Sequence, residues 1–437
     1  MPKGKKRSKA GGAARSRPDA SAANHNGAAS SDDESIPDTA SVASYGISCD
    51  SRCGSDAGTL GDPDAEDTIL HDDFEDKLKE AIDGTSQKSA KGRLACLEAV
   101  RKALSVRYLY DFLADRPTTV SDMVERGMHK GRGGEELGLS ALVGALLCVH
   151  FGAGDDSQAL FAAIRQPLLS ALADPVQSPH TRAKCASSLG LCCFIAESDN
   201  FLVVQSAMEA LQSVLTSGPR KAMDAPGQAA LHSAALLAWG LLLTVASVDR
   251  VLSVAPSQLK KLQEVLQSSD LDLRIAAGEV IAIIYEVARE YDEDFEEPSD
   301  ELLEQLRQLA TDSQKFRAKK DRRQQRSTFR DVYRAVKDNG SPDITIKFGR
   351  EVLELDTWCR KMQYDAFCQV IGAGINLHLA ENELLRDIFE LGPPLTQEDA
   401  IISKVTKFER HMVNVASCRA RTKTRNRLRD KRADILA

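Results

Sequence analysis

A repeat of about 45 residues runs through the middle of the chain. Three segments share an arginine, a small residue three positions later and an aliphatic residue seven positions later: Arg93–Val100, Arg182–Leu189 and Arg274–Ile281. The midpoints between these arginines, near residues 137 and 228, fall at the starts of two more apolar segments, Glu135–Val149 and Ala229–Leu243. This period is typical of armadillo and HEAT units, in which each helical unit packs only on its neighbours. The sequence therefore predicts an all-α fold, an armadillo/HEAT-like helical repeat solenoid.

Changes in composition divide the chain into four predicted parts. The first part is rich in Ala, Gly, Ser and Asp and nearly lacks large apolar side chains, so it cannot bury enough surface to offset its ordering entropy. Residues 344–348 and 352–355 flank a Gly349-Arg350 step, which is consistent with a short β-hairpin, and helices are expected at about 357–371 and 375–391. The four parts are a disordered segment at 1–68, the repeat domain at 69–312, a basic helix with a small, mostly helical C-terminal domain at 313–395, and a basic C-terminal helix or tail at 396–437.

Charge is distributed unevenly between the body and the C-terminal third. Residues 1–300 carry 30 Lys and Arg against 44 Asp and Glu, whereas residues 301–437 carry 27 against 20. An acidic body with a basic C-terminal third predicts that any surface for binding polyanions is local.

The most cationic stretch, residues 419–432, carries eight cations against one anion. On a helix, a spacing of two residues advances about 200° per step, so the charges would surround the whole helix and leave no apolar stripe. A helix that is positive on all sides suits a channel walled by nucleic acid, but a solvated tail or a localisation signal is an equally good interpretation of the charge alone. The candidate RNA-binding residues here are Arg419, Arg421, Lys423, Arg425, Arg427, Arg429, Lys431 and Arg432.

A second basic segment recurs at helical spacing, at steps of three and four residues. Phe329, Val332, Tyr333 and Val336 form an apolar stripe beside it, so a helix here can dock on the repeats and still expose its cations. The alternative is an ordinary solvated face. The predicted RNA-binding residues are Lys319, Arg322, Arg323, Arg326, Arg330 and Arg334, with Lys337 continuing the same ridge.

No catalytic signature stands out. The sequence has no nucleophile elbow, P-loop, zinc-protease helix or C-x-x-C pair, so we expect a binding protein without enzymatic activity, cofactor or metal. Gly372-Ala-Gly374 lacks the third glycine of a dinucleotide fingerprint and is better explained as a break between helices. The adjacent cysteines 192 and 193 could be redox-active, although helix packing is the simpler role.

The N-terminal region suggests the compartment. It begins with a basic run, Lys3–Lys9, without an apolar segment behind it, and the most apolar stretch, Ala234–Ala246, is too short to span a bilayer. We therefore expect a cytoplasmic protein without membrane association, with the nucleus as a second compartment if the basic run is a localisation signal.

Ser30 and Ser31 precede an acidic run that an acidophilic kinase would accept, so they are candidate modification sites; an unmodified polar tract is the alternative.

From about Phe74 to the C-terminus, the chain resembles the interferon-related developmental regulator family. The strings that carry the resemblance are long and unusual. They begin at Lys88 (KSAK), Arg274 (RIAAGE), Arg317 (RAKKDRRQQRSTFRD), Asn382 (NELLRDIFELGP) and Lys431 (KRADIL).

The resemblance implies a helical repeat domain followed by a small family-specific domain, and it implies two functions. One branch of the family resembles translation repressors that occupy the tRNA sites of idle ribosomes, near the P and E sites, and place a C-terminal helix in the mRNA channel. The other is described as nuclear transcriptional co-regulators that act through co-repressor proteins in differentiation. The ending at residues 432–436 resembles the ribosome-binding branch more closely. We therefore expect the ribosome, through its rRNA, to be the main partner, and no small-molecule substrate.

Overall fold

The structure is a computed structural model that describes residues 63–130, 134–216, 227–292, 298–311 and 318–395, together with Phe295, with side chains from Phe74 onward. The predicted disordered segment, the candidate modification sites Ser30 and Ser31, and the cationic stretch at 419–432 lie outside these residues.

The described chain is helical apart from one short hairpin. The first helices are α1 (Pro63–Gly84), α2 (Ala90–Val106), α3 (Tyr110–Ala114), α4 (Pro117–Lys130), α5 (Glu135–Phe151), α6 (Asp155–Ala173), α7 (Pro179–Ala196) and α8 (Phe201–Thr216). They are followed by α9 (Gln228–Leu243), α10 (Val248–Val265), α11 (Leu271–Tyr291), α12 (Asp300–Thr311) and α13 (Lys319–Asp338). The C-terminal elements are β1 (Ile344–Phe348), β2 (Glu351–Leu355), α14 (Trp358–Ile371), a 3-10 turn (Gly372–Gly374), α15 (Ile375–Glu381) and α16 (Glu383–Ile388).

Six helices form a central row, which we call the ladder: α2, α5, α7, α9, α11 and α13. Each ladder helix packs on the next, and a partner helix covers each from outside: α1 on α2, α4 on α5, α6 on α7, α8 on α9, α10 on α11 and α12 on α13. The predicted helical repeat fold is therefore confirmed. The period also extends to residue 319, because α13 begins there.

The middle ladder helices are buried on nearly every side, which explains their sequences. Every residue of α5 from Glu136 to His150 is buried except Leu142. In α9, the residues from Leu231 to Ala235 and most of those that follow are also buried. Helices that are apolar all round occur where neighbours cover every face. None of the helices that the structure describes is long and apolar enough to cross a membrane.

The repeated arginines have a common role at the start of their ladder helices. Arg93, Arg182 and Arg274 each donate to a backbone carbonyl of the preceding loop or helix end: Lys88 O, Leu172 O and Ser268 O respectively. Arg93 also forms a bidentate pair with Glu136 on the next ladder helix, at 2.6 and 2.8 Å, and Arg274 donates to Gln325 Oε1 on α13 at 2.7 Å. Each arginine thus fixes a loop, and two of them also tie adjacent ladder helices together.

The C-terminal elements fold back onto the ladder. We call residues 358–391 the strap. Within it, α14 contacts α2, α5, α7, α9 and α11, so it crosses five ladder helices. The Glu286 carboxylate of α11 accepts from the backbone N–H groups of Trp358 and Cys359 at 2.7 and 2.9 Å and thereby caps α14. One turn later, the half-buried Lys361 forms an ion pair with Glu279 of α11 at 2.7 Å.

The far end of the strap docks beside the end of α2. His150 and His378 both donate from Nε2 to the carbonyl of Leu104, at 2.9 and 3.0 Å. The Nδ1 atom of His150 accepts from the Leu109 N–H, which assigns the hydrogen of this ring to Nε2. Asn382 donates to Val149 O at 2.9 Å, so the strap is tied to both α2 and α5.

The predicted β-hairpin is present, and the second predicted helix is interrupted. Strands β1 and β2 pair antiparallel from Ile344 opposite Leu355 to Phe348 opposite Glu351, with Gly349 in the turn at φ +52°. The helix predicted at 357–371 matches α14, and Gly372 ends it at φ +72°, which confirms the break there. The helix expected at 375–391 consists of α15 and α16, because the Asn382 side chain accepts from the N–H groups of residues 384 and 385 and starts a new helix.

Candidate nucleic-acid interface

Helix α13 has one buried face and one cationic face. At about 100° per residue, the buried Phe329, Val332 and Val336 fall together on one side, and the cations cluster on the adjacent side. We call this side the basic face. It consists of Lys319, Arg322, Arg323, Arg326, Arg330, Arg334 and Lys337.

The cations differ in exposure. Lys319, Arg323, Arg330 and Arg334 are exposed, whereas Arg322 and Arg326 are half-buried. The Nε atom of Arg322 is buried and has no hydrogen-bond partner among the described residues. Arg323 and Arg330 form no ion pair with another described residue, so their charges remain available to a ligand.

Acidic neighbours neutralise only part of the basic face. Arg334 lies 3.3 Å from Asp331 and donates to Ser341 O at 3.1 Å. Burial raises the pKa of Asp331, and the nearby Arg334 counteracts this effect. The Lys337 ammonium lies 5.6 Å from the centre of the Tyr333 ring. The C-terminal end of the face is thus partly occupied by intramolecular contacts, whereas its middle is not.

The buried side holds α13 firmly against α11. Gly278 of α11 permits the close approach of Phe329, since a Cβ atom there would lie 2.8 Å from the ring. Arg289 of α11 donates to the carbonyls of Ala335 and Val336, at 3.3 and 2.8 Å. These carbonyls lie in the last turn of α13, where they have no hydrogen-bond partner within the helix. The basic face is therefore presented on a fixed helix.

The last described residues form a turn that is held by a buried arginine. Arg386, whose side chain is 2% exposed, forms a bidentate pair with Glu351 and donates to the carbonyls of Leu391, Gly392 and Pro393. We call residues 390–393 the exit turn. The eight candidate residues at 419–432 follow it but lie outside the described residues, so their geometry stays a prediction. Sequence reasoning missed Arg386, because one arginine in a mixed-charge segment carries no distinctive signal.

Two family models match the chain, one over most of its repeat region. "Interferon-related developmental regulator" matches residues 42–337, and "Interferon-related protein conserved region" matches residues 382–433. The chain belongs to the interferon-related developmental regulator family. The first match ends with α13 and its basic face, and the second includes Arg386 together with all eight cations of 419–432.

Individual relatives cover most of this family member. It is 44% identical to mouse interferon-related developmental regulator 2, over 86% of this chain and 87% of the relative. It is 41% identical to human interferon-related developmental regulator 1, over 83% and 82% of the two chains. A designed armadillo repeat protein covers 59% of this chain and 99% of its own length, at 12% identity and a TM-score of 0.37. The likeness to that structure is weak, and the fold assignment rests on the ladder itself.

The described part of this family member includes one small pocket. A shallow pocket between the loops that follow α7 and α9, lined by Phe201, Met208 and Arg250, encloses about 180 Å³. Ligand sites usually enclose about 300–1,000 Å³. The described residues contain no group of three His, Cys, Asp or Glu side chains that could hold a metal. The basic face is thus the feature with the clearest chemistry.

Proposed function

We propose that this protein binds ribosomes and inhibits translation by occlusion, without catalysing a reaction. In this proposal the basic face of α13 lies against rRNA near the P and E sites, and residues 419–432 occupy the mRNA channel of inactive ribosomes. The observation that carries the proposal is the basic face: cations at helical spacing on one side, with the adjacent side packed on α11.

The chemistry of the basic face supports phosphate as its ligand. Arginine guanidinium groups bind phosphate oxygens in bidentate geometry, and contacts of this kind position a protein without reading bases. The ribosome is named because the sequence resembles the ribosome-binding branch, and the matched family region extends through residue 433.

The proposal makes binding strongly dependent on salt. If residues 419–432 neutralise eight phosphates, log K should fall with log salt at a slope of roughly −6, with the coefficient for single strands. The basic face adds to this slope. Binding should also be nearly independent of RNA sequence.

Sedimentation of cell lysate through sucrose tests the proposal. Three chains are compared: the intact chain, a chain truncated after Cys418, and the double variant Arg323→Gln/Arg330→Gln. We expect the intact chain to sediment with ribosomes, and the other two to shift toward the top of the gradient. The double variant should lower the salt slope by roughly 1.4.

A matched control uses arginines elsewhere in the described chain, the half-buried Arg101 and the exposed Arg307. The variant Arg101→Gln/Arg307→Gln removes the same charge from α2 and α12 and should sediment like the intact chain. If the intact chain stays at the top of the gradient, the ribosome proposal fails. If truncation only moves the protein out of the nucleus, the alternative of a nuclear co-regulator that acts through protein partners is favoured.

A further inference from the structure

The exposed cations of the basic face form a narrow row along α13. At about 100° per residue, these side chains leave the helix within about 60° of one another. At about 1.5 Å per residue the row is about 27 Å long, and most neighbouring cations in it are about 4.5–6 Å apart along the helix axis. The exposed members of the row are Lys319, Arg323, Arg330, Arg334 and Lys337.

The row lies on the convex surface of one helix. Arg326, which falls between Arg323 and Arg330, folds back on the helix, since its Nε donates to Arg322 O at 3.3 Å. Arg326 and Arg322 are both half-buried, so the exposed charges project as a single line. Proteins that bind single strands without sequence preference hold the strand in a positively charged groove. A projecting line of cations instead suits a ligand that presents a row of phosphates on its own outer surface.

Helix α13, which is described over its whole length, has no aromatic ring free for stacking. It carries two aromatic residues. Phe329 is fully buried against α11, and Tyr333 is half-buried with the Lys337 ammonium 5.6 Å from its ring centre. Stacking of unpaired bases on aromatic side chains supplies much of the affinity of single-strand sites. The affinity of α13 for a nucleic acid must therefore come from contacts to phosphate.

The row is held rigid by the ladder. Arg274 near the start of α11 bonds to Gln325, and Arg289 near its end bonds to the last turn of α13. A rigid row gains most from a ligand whose phosphates are already fixed in a row, because neither side then loses conformational freedom on binding. A flexible single strand would have to be ordered first, whereas a double helix is ordered before it binds.

We infer that the basic face binds the phosphate backbone of double-helical RNA and discriminates against unpaired strands. The inference deepens the proposed function and rests on it only for the choice of RNA over DNA; it does not require a ribosome. Contacts to phosphate position a protein without reading bases. Base pairing of the ligand, and not its sequence, should therefore decide whether the basic face engages it.

Two RNA probes of equal charge test this inference. The full chain is titrated with an RNA duplex of roughly 16 base pairs, the span of a double-stranded RNA-binding domain, and with an oligouridylate that has the same number of phosphates. The variant Arg323→Gln/Arg330→Gln should bind the duplex at least about tenfold more weakly than the intact chain, since it loses charge-assisted contacts. Its affinity for oligouridylate should stay nearly the same. Equal losses for the two probes, or a larger loss for oligouridylate, would overturn the inference.

A second variant changes the charge of the row without removing a cation from it. Ser327 is exposed and lies one helical turn from both Arg323 and Arg330. Ser327→Asp should weaken duplex binding about two- to fivefold, and the neutral control Ser327→Asn should not. Circular dichroism reports whether each variant is folded. Equal duplex affinities of the folded Asp and Asn variants would contradict a role for the row.

Stacking is the competing explanation and has its own variant. Tyr291 of α11 is 61% exposed and lies two residues beyond Arg289, which bonds to the end of α13. Tyr291→Ala should leave the affinities for both probes unchanged. A loss of oligouridylate affinity in this variant would reveal a stacking surface beside α13, and the discrimination against unpaired strands would be wrong.

Two further outcomes separate the ligand from the proposed function. A DNA duplex of the same length that binds more tightly than the RNA duplex would assign the basic face to DNA and overturn the choice of RNA. The titrations contain no ribosomes, so a basic face that binds the RNA duplex while the intact chain fails to sediment with ribosomes would refute the proposed function alone. Sedimentation that depends on Arg323 and Arg330, without any effect of these residues on duplex binding, would refute this inference alone.

Discussion

At the scale of single residues, the repeated arginines show what a sequence can and cannot reveal. Their spacing was predictable because each arginine binds a carbonyl group of the loop or helix end that precedes its ladder helix. Their partners were not predictable, because Glu136 and Gln325 belong to the next ladder helix and are reached only after the chain has packed. The periodic pattern therefore reveals that the arginines share a local role. The side chains that Arg93 and Arg274 bind on the next ladder helix depend on the tertiary structure.

The buried histidines show the same limit. A histidine at the end of an apolar helix predicts a packing role, and His150 has both ring nitrogens hydrogen-bonded. Its neighbour His378 is distant in sequence, and the T-shaped contact between the two rings, at 5.2 Å, has no sequence signature. His232, by contrast, has no partner for Nδ1 among the described residues.

His150 makes the stability of the protein depend on pH. Burial, with a smaller effect from His378, lowers the pKa of His150 from about 6.5 to about 3. The unfolded chain therefore binds a proton below pH 6.5 that the folded chain does not bind until pH 3. The contribution of His150 to stability is complete above pH 6.5 and is lost as the pH falls, with a slope approaching about 1.4 kcal/mol per pH unit.

Urea denaturation at several pH values between about 7 and 4.5 measures this slope. His150→Gln should reduce the slope of the unfolding free energy against pH by the amount that one proton contributes. It should also lower stability at neutral pH. The exposed His129 is the matched control, and His129→Gln should preserve the slope. A slope unchanged by His150→Gln would show that other groups cause the acid sensitivity.

At the scale of elements, the strap depends on a close backbone contact at its centre. A Cβ atom on Gly374 would lie 1.7 Å from Ser105 O and 2.8 Å from Ser105 C, so no side chain fits without movement of both backbones. Gly374→Ala should therefore destabilise the protein by about 3 kcal/mol, the upper end of the usual cost of overpacking.

The control for this substitution is another glycine of the described chain. Gly154 is the N-cap of α6 and has an extended backbone, and a Cβ atom there meets nothing within 4 Å, so Gly154→Ala should cost no more than about 1 kcal/mol. Urea midpoints of the two variants compare them directly. Similar midpoints would mean that the strap tolerates displacement from the end of α2.

The helices themselves were largely predictable, and their breaks were less so. The apolar segments of the repeat located α5 and α9 to within a few residues, and α14 lies where a helix was expected after the hairpin. The division between α15 and α16 was missed because Asn382 stands inside an otherwise helical pattern. Its side chain caps the following turn, and Asn382 is fixed in that role by its bond to Val149 O of α5.

At the scale of the whole described chain, the strap alters how the repeats share stability. In a simple repeat array each unit contacts only its neighbours, so distant units can unfold separately. Here α14 touches ladder helices from α2 to α11, and α15 also contacts α2. Contacts that cross five ladder helices should make their unfolding a single cooperative event.

Truncation after Asn339 tests this coupling. Calorimetry should give equal calorimetric and van't Hoff enthalpies for the intact chain and a larger calorimetric enthalpy for the truncated chain. Amide hydrogen exchange should then show α2 opening more readily than α9. Equal enthalpies in both chains would mean that neighbouring ladder helices alone provide the cooperativity.

Docking of the strap also has a consequence for biosynthesis. During translation the N-terminal helices emerge first, and α2 and α5 complete their packing only when His378 and Asn382 arrive. The hydrogen bond from His378 to Leu104 O joins residues that are 274 positions apart in the sequence. Contacts between residues so distant in sequence form late in folding. Until then the ladder surface that α14 covers faces solvent, and exposed apolar surface of this kind promotes association between chains. A premature stop before residue 358 would thus leave the row of repeats with the face that α14 covers exposed to solvent.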